Sequence, residues 1–365
     1  MSYGHLRNAP PFYCSADETW RCDIDPSRLP KIAIRLGPAG VRAVTYHRYG
    51  GPENLELSEV DKPALIENGL LIRVHAASLN RSDWESLVGS PAYVRFGGLF
   101  KPGTAILGSD IAGTVEEVGG DVTRFQPGDE VFGDILYAGS GGLGEYVSVP
   151  ETAPLALKPV GMTFETAAAL PQAGLLAVQG MRARGGVQPG QRVLVNGAGG
   201  GGGTFSLQVA KSLGATVTGV DSATKLDLLR SVGADEVIDY AVDDYTKGTD
   251  KYDRILDFVG SRSVFANRRA LAADGVYQVV GGPVRRLLQV LLVGGLISKL
   301  GSKHLGVLIA RPNSPDLEDL AGGVAAGRIK PVIDGVFDLD KAPEAMRRLG
   351  EERSLGKVVI RVAPL

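Results

Sequence analysis

Cysteine is nearly missing from this chain: only Cys14 and Cys22 occur in 365 residues. A disulfide between them would close a short loop and nothing more, so the bulk of the chain reads as a protein of a reducing compartment. Histidine is equally scarce, and His5, His47, His75 and His304 stand too far apart to share a metal ion by local spacing. Long apolar runs are absent too. The longest, Leu287 to Ile297, contains Gln289 and is too short to span a bilayer. No charge of one sign dominates: 39 Lys and Arg oppose 41 Asp and Glu, for a net charge of −2. That balance excludes a basic nucleic-acid surface and an acidic tail. No signal-peptide h-region is readable near Met1. The expectation is a soluble cytoplasmic protein with neither a nucleic-acid nor a membrane partner.

Glycine, by contrast, is abundant, with 50 residues scattered without period, which excludes a collagen-like or low-complexity chain. Its densest cluster organises everything else. Val193-Leu194-Val195 reads as a buried strand, followed by Asn196, Gly197 and Ala198 and then five glycines, Gly199 to Gly203. From Thr204 the apolar residues Phe205, Leu207, Val209, Ala210 and Leu213 recur at helical spacing, and Gly214 is a natural stop. A second strand, Ala215 to Val220, ends on Asp221. Strand, glycine turn, helix, strand and acid form one half of a dinucleotide-binding sheet. Glycines let backbone N–H groups approach a diphosphate, and the helix aims its positive end at it. Asp221 is placed to accept from ribose hydroxyls. The cofactor-binding candidates are Ala198, Gly200, Gly201, Gly202, Gly203, Thr204, Asp221, Lys225, Tyr240, Val259 and Gly281; the glycine run fits more than one frame.

A length of 365 residues suggests two domains. Residues 1–40, broken by Pro10, Pro11, Pro26 and Pro30, read as an extension, and their acids argue against a transit peptide. From Val41 the pattern is β: Val41–Tyr46, Asn54–Val60 and Gly69–Ser78 as strands, then a helix beginning at Trp84, with further strands divided by Gly and Pro-Gly. A small barrel-like domain is expected over 41–163, joined by a C-terminal return over 331–365. A doubly wound parallel-sheet domain is expected over 164–330, continuing past Asp221 with strands at Glu236–Asp239, Tyr252–Val259 and Val276–Val280.

Tyr49-Gly50-Gly51-Pro52-Glu53, Ala76-Ala77-Ser78-Leu79-Asn80, Leu107-Gly108-Ser109-Asp110, Pro127-Gly128-Asp129-Glu130-Val131, Asn196-Gly197-Ala198 and Gly233-Ala234-Asp235 occur in that order. On these motifs, from about Val41 to Val362, the chain resembles the zinc-independent quinone-oxidoreductase branch of the medium-chain dehydrogenase/reductase superfamily. The resemblance implies an α/β fold with a GroES-like β-barrel domain, a Rossmann domain, and an active site between them. It further implies NAD(P)H-dependent reduction of a quinone, enone or similar small carbonyl, often by a homodimer. Where zinc relatives place two cysteines and a histidine, this chain carries Asn80, Ser109 and Gln172, so no catalytic metal is expected. Hydrogen-bond donors must then polarise the carbonyl. Asn80 and Ser82 are the candidates, with Asp83 holding their loop, although the same cluster is also a good helix cap. Asp110 matches an acid beside the metal of the zinc enzymes, and Tyr240 a position near the adenosine.

Asp221 favours NADH over NADPH, because its carboxylate would repel a 2′-phosphate, while Lys225 works in the opposite sense. Two rivals stand beside this: an NAD-dependent alcohol dehydrogenase acting on alcohol/aldehyde pairs, and a non-catalytic cofactor-binding protein.

Overall fold

A computed structural model describes residues 40–363. The N-terminal extension to residue 39, with Cys14, Cys22 and His5, lies outside the described residues. The first half of the described residues is mostly β: β1 (Gly40–Thr45), β2 (Glu56–Asp61), β3 (Gly69–Leu79), β4 (Asp110–Val118), β5 (Glu130–Asp134), β6 (Tyr146–Pro150) and β7 (Leu155–Leu157), with one α-helix, α1 (Arg81–Val88), and short 3₁₀ turns. A one-turn helix, α2 (Phe164–Ala168), and a longer one, α3 (Pro171–Arg182), follow. The second half alternates: β8 (Arg192–Asn196), α4 (Gly201–Ser212), β9 (Thr216–Asp221), α5 (Leu226–Ser231), β10 (Glu236–Asp239), β11 (Tyr252–Asp257), α6 (Val264–Ala270) and β12 (Leu271–Val279). After α7 (Val284–Gln289), a π-helical turn and α8 (Gly295–Leu300), the chain forms β13 (His304–Val307) and α9 (Ser314–Ala325). It ends with β14 (Ile333–Asp338), α10 (Ala342–Gly350) and β15 (Lys357–Arg361).

Six of these strands form one parallel sheet in the order β10-β9-β8-β11-β12-β13. The strand order reverses between β8 and β11, and open sheets of this kind bind ligands at that switch point, beyond the carboxyl ends of the strands. Both faces are covered. Val193 and Val195 of β8 enter one apolar core with α3, α4 and α9, whereas Leu194 enters another with Ile255, Tyr277 and Val290. Burial on both sides is why Val193-Leu194-Val195 of β8 reads as an unbroken apolar run.

The other sheet runs β14-β15-β3-β4-β5-β7, with β6 also on β3. The β1–β2 hairpin joins it through bridges from Ala43 to Gly144 and Thr45 to Ile106. Its core packs Ile72, Val74, Ile111 and Leu143 against Val358, Ile360 and Met346 from the end of the chain. The last strand, β15, pairs antiparallel with β3, so it sits in the middle of a sheet begun far earlier in the sequence.

Several expected boundaries shift. The helix expected from Trp84 begins at Arg81, which puts Ser82 and Asp83 inside its first turn. The helix expected from Thr204 begins at Gly201, so three glycines lie within α4. The strand expected to run to Val259 ends at Asp257, where the acid turns the chain, and the strand expected from Val276 starts at Leu271.

Candidate active site

The glycine turn is fixed to the sheet before any ligand enters. Gly197 and Ala198 both donate to the Val220 carbonyl, at 3.0 and 3.1 Å. Gly200 caps α4 and leaves the first N–H groups of that helix pointing out of the sheet's carboxyl edge. Gly203 is required for a steric reason: a Cβ there would lie 2.3 Å from the Gly197 carbonyl oxygen. The turn is therefore a backbone cradle held open by missing side chains, and together with the helix end it fits a diphosphate. Thr204 is fully buried and gives its hydroxyl to the Gly201 carbonyl at 3.0 Å, which leaves it inside the helix rather than on the cradle. Ala198 is likewise buried.

Asp221 stands at the tip of β9, mostly buried. One carboxylate oxygen accepts from Gly199 N and the other from Ser222 N, both at 2.8 Å. Each oxygen keeps a further lone pair for a ribose hydroxyl. Lys225 Nζ lies 3.8 Å from this carboxylate and donates to the Glu352 carbonyl at 3.0 Å. The backbone N–H of Tyr240 donates to the Asp221 carbonyl at 3.2 Å, while its ring is exposed.

Across the switch point, Phe258, Val259 and Gly260 close over the glycine turn. A Cβ on Gly202 would meet the Phe258 ring at 2.4 Å, and one on Gly260 would meet the Gly281 carbonyl oxygen at 2.5 Å. Asp257, absent from the sequence candidates, holds this loop. Its fully buried carboxylate accepts from Asn196 Nδ2 (2.8 Å), Val259 N (3.0 Å), Gly260 N (2.8 Å) and the Tyr277 hydroxyl (2.9 Å). Burial and that carboxylate push the Tyr277 phenol upward. An acid closing an apolar strand, just before Phe-Val-Gly, was the available signal.

The second half of the site lies where β3 ends. The Asn80 backbone N–H donates to Asp83 Oδ2 at 2.8 Å, and Gly108 N donates to Asp83 Oδ1 at 3.1 Å. Asp83 thus closes the start of α1 and ties it to the neighbouring loop, so the helix-cap role and the loop-holding role are both present. Burial pushes its carboxyl up to about 6. The Asn80 side chain is engaged elsewhere: Nδ2 donates to Ser109 Oγ at 3.1 Å, and Oδ1 accepts from Lys357 Nζ. Ser82 Oγ donates to Gln172 Oε1 at 3.0 Å, and Gln172 N donates to Asp110 Oδ1 at 3.0 Å. Asp110 also receives Ser78 Oγ at 3.2 Å and Lys357 Nζ at 3.1 Å. Asn80, Ser82, Asp83, Ser109, Asp110 and Gln172 are therefore one connected network.

Lys357 was not legible as part of it. Its only sequence signal is a lysine opening the otherwise apolar Val-Val-Ile of β15. The network abuts the cradle, since a Cβ on Gly201 would lie 2.7 Å from the Lys357 stem. Asn80, Ser109 and Gln172 offer amide and hydroxyl groups, which do not fit a zinc ion that binds thiolate, imidazole or carboxylate. Among the described residues, no three His, Cys, Asp or Glu side chains gather as a metal site.

Residues 67–159 match the family described as the alcohol dehydrogenase GroES-like domain, and residues 232–360 match the zinc-binding dehydrogenase family. The chain is 34% identical to a 2-methylene-furan-3-one reductase of Solanum lycopersicum, over 90% of this chain and 80% of that protein. It is 32% identical to a chloroplastic NADPH-dependent alkenal/one oxidoreductase of Arabidopsis thaliana, over 90% and 81%. Among solved structures, the quinone oxidoreductase of Coxiella burnetii superposes with a TM-score of 0.79 at 28% identity, covering 89% of this chain and 100% of that one. With its barrel, its parallel sheet and these relatives, the chain belongs to the medium-chain dehydrogenase/reductase superfamily, in its quinone-oxidoreductase-like branch.

Proposed function

We propose that this protein is an NAD(P)H-dependent oxidoreductase that reduces a quinone, enone or similar small carbonyl without a catalytic metal. The observation that carries it is the buried network in which neutral Asn80, Ser109 and Gln172 stand at the places of zinc ligands, joined through Lys357 and Asp110 and set against the glycine cradle by the Lys357 stem. When bound, the reduced nicotinamide supplies hydride. The α4 N-terminus and glycine turn hold the diphosphate, Asp221 holds the adenosine ribose, and the Asp257-braced loop flanks the nicotinamide end. The Asn80 amide would donate to the substrate oxygen, where charge grows as hydride reaches a conjugated carbon, and the Ser82 hydroxyl would join it on turning its single O–H away from Gln172 Oε1. Asp83 keeps that donor loop in place.

Metal independence is part of the proposal, supported by the donor set. The family description naming zinc supports the rival, an alcohol dehydrogenase. Turnover should be measured with a panel of quinones, enones and alcohols, with NADH and NADPH, before and after chelation. Quinone or enone reduction that survives chelation is expected. Alcohol oxidation lost to chelation and restored by zinc would establish the rival, and cofactor binding without turnover would mark a non-catalytic protein.

NADH preference is supported by Asp221, whose carboxylate is anchored by two backbone N–H groups and so meets a 2′-phosphate at fixed range. Lys225 works in the opposite sense, its Nζ 3.8 Å from that carboxylate, but it is also held by the Glu352 carbonyl. The NADPH-dependent relative supports the opposite choice. Asp221→Ser should raise kcat/KM for NADPH relative to NADH; an unchanged ratio would show that the carboxylate does not select.

We place the division at 41–163 with 331–365, and 164–330, supported by the pairing of β15 with β3. A homodimer and a cytoplasmic location belong to the same proposal. No helix of the described residues is long and apolar enough to cross a membrane. The chloroplastic relative makes an organelle the alternative, which imaging of a tagged full chain would decide.

A further inference from the structure

We propose that Lys357 is a positioning residue of this reaction, which fixes the orientation of the Asn80 amide and keys it to the cofactor cradle. The inference rests on Asn80 acting as the substrate donor. Lys357 is 2% exposed, and its Nζ meets three acceptors: the Leu79 carbonyl at 3.3 Å, Asp110 Oδ2 at 3.1 Å and Asn80 Oδ1. An ammonium group only donates, so the amide must turn its oxygen toward it. That leaves Nδ2 on the far side, where Ser109 Oγ takes one N–H at 3.1 Å. The other N–H has no acceptor among the described residues and is available to a substrate oxygen. A flipped amide would set NH₂ against Nζ, donor facing donor, and would present the substrate with an acceptor instead. Burial makes that mismatch costly.

The same lysine fixes where the donor stands. Gly356, at φ +89°, donates its N–H to the Gly199 carbonyl at 2.9 Å, which fastens the start of β15 to the glycine turn. The Lys357 stem then passes beneath Gly201, the first residue of α4, where a Cβ would lie 2.7 Å from its Cδ. A residue at the far end of the chain thus joins the cradle to the donor, with Asp110 fixing the third N–H of the amine.

The test is Lys357→Met combined with Asp110→Asn, which removes the donors without leaving a buried carboxylate unpaired. It is compared with Asp110→Asn alone, with Asn80→Ala and with the combination of all three changes. The pair should lower kcat about 10²-fold, as expected when a reacting group loses its orientation, while the KM for NADH stays constant. Adding Asn80→Ala should then cost little more, because the two residues act as a unit. Lys357→Gln with Asp110→Asn keeps an N–H donor and should recover much of the loss. Should the methionine variant fail to fold, the glutamine pair carries the test, with kcat below that of Asp110→Asn alone and an unchanged KM for NADH. Normal kcat in folded Lys357→Met/Asp110→Asn, with Asn80→Ala impaired, would overturn the inference and leave the donor role standing. A raised KM for NADH with additive losses would also overturn it, because Lys357 would then act on the cofactor. Normal kcat in Asn80→Ala would refute the donor role itself.

Discussion

Asp83, Asp110 and Asp134 are buried and feel one another's charge, with Lys357 as the ion-pair partner of Asp110. Burial, and then the charge of Asp110, push the Asp134 carboxyl up to about 8, and burial raises Asp83 to about 6. The sign follows by linkage. The folded chain holds protons that the unfolded chain has released near pH 4, so these acids favour the fold most at low pH. Their contribution is lost as pH rises through about 6 for Asp83 and about 8 for Asp134. Thermal melts of the wild type from pH 5 to 9 should show that decline, and Asp134→Asn should flatten its upper part. Identical slopes in the two proteins would mean that Asp134 is already ionised in the fold. The helix cap at Asn80–Asp83 was legible because Asn and Asp favour that place, and the donor role of Asn80 and Ser82 was an expectation from the family resemblance. It did not disclose Lys357 or Asp257, whose roles depend on partners brought in from distant strands.

At the scale of elements, strand–turn–helix–strand around the glycine run was legible because both strands are apolar and α4 keeps its helical period. The start of α4 was not. Glycine is a poor helix former, so propensity puts the boundary after Gly203, whereas close packing requires glycine inside the first turn. At Gly203 a Cβ would lie 2.3 Å from the Gly197 carbonyl and 2.5 Å from Ala198 Cα, both backbone atoms that cannot step aside. Gly203→Ala should therefore cost about 1–3 kcal/mol, the usual range for overpacking. Gly120→Ala is the control, since nothing lies within 4 Å of its added Cβ, and it should stay within about 0.5 kcal/mol. Chemical denaturation of both variants compares them directly. Equal stabilities would show that the turn relaxes around a methyl group.

For the whole molecule the open question is what covers the segment from α7 to α8. An apolar run of this length serves equally as core, pocket lid or dimer contact. The structure divides it: Val290 and Gly294 are buried against β13 and its core, while Leu288, Leu292, Leu296 and Leu300 recur every fourth residue on the outside. Leu292 is 74% and Leu300 79% exposed. Beside this ridge, β13 is the last strand of its sheet, with one edge unpaired among the described residues. An apolar ridge next to an open strand edge is self-complementary about a two-fold axis, where ridge meets ridge and edge meets edge. Burying a leucine fully is worth about 1.5–3 kcal/mol, so a few such contacts suffice to hold a pair together. The expected outcome is a dimer in sedimentation at micromolar concentration. Leu292→Glu with Leu296→Glu should give a folded monomer, because both side chains already face water in the single chain. If the ridge is instead the wall of a substrate pocket, the double variant keeps the wild-type mass and raises KM for the quinone, and a second copy is then not what covers it.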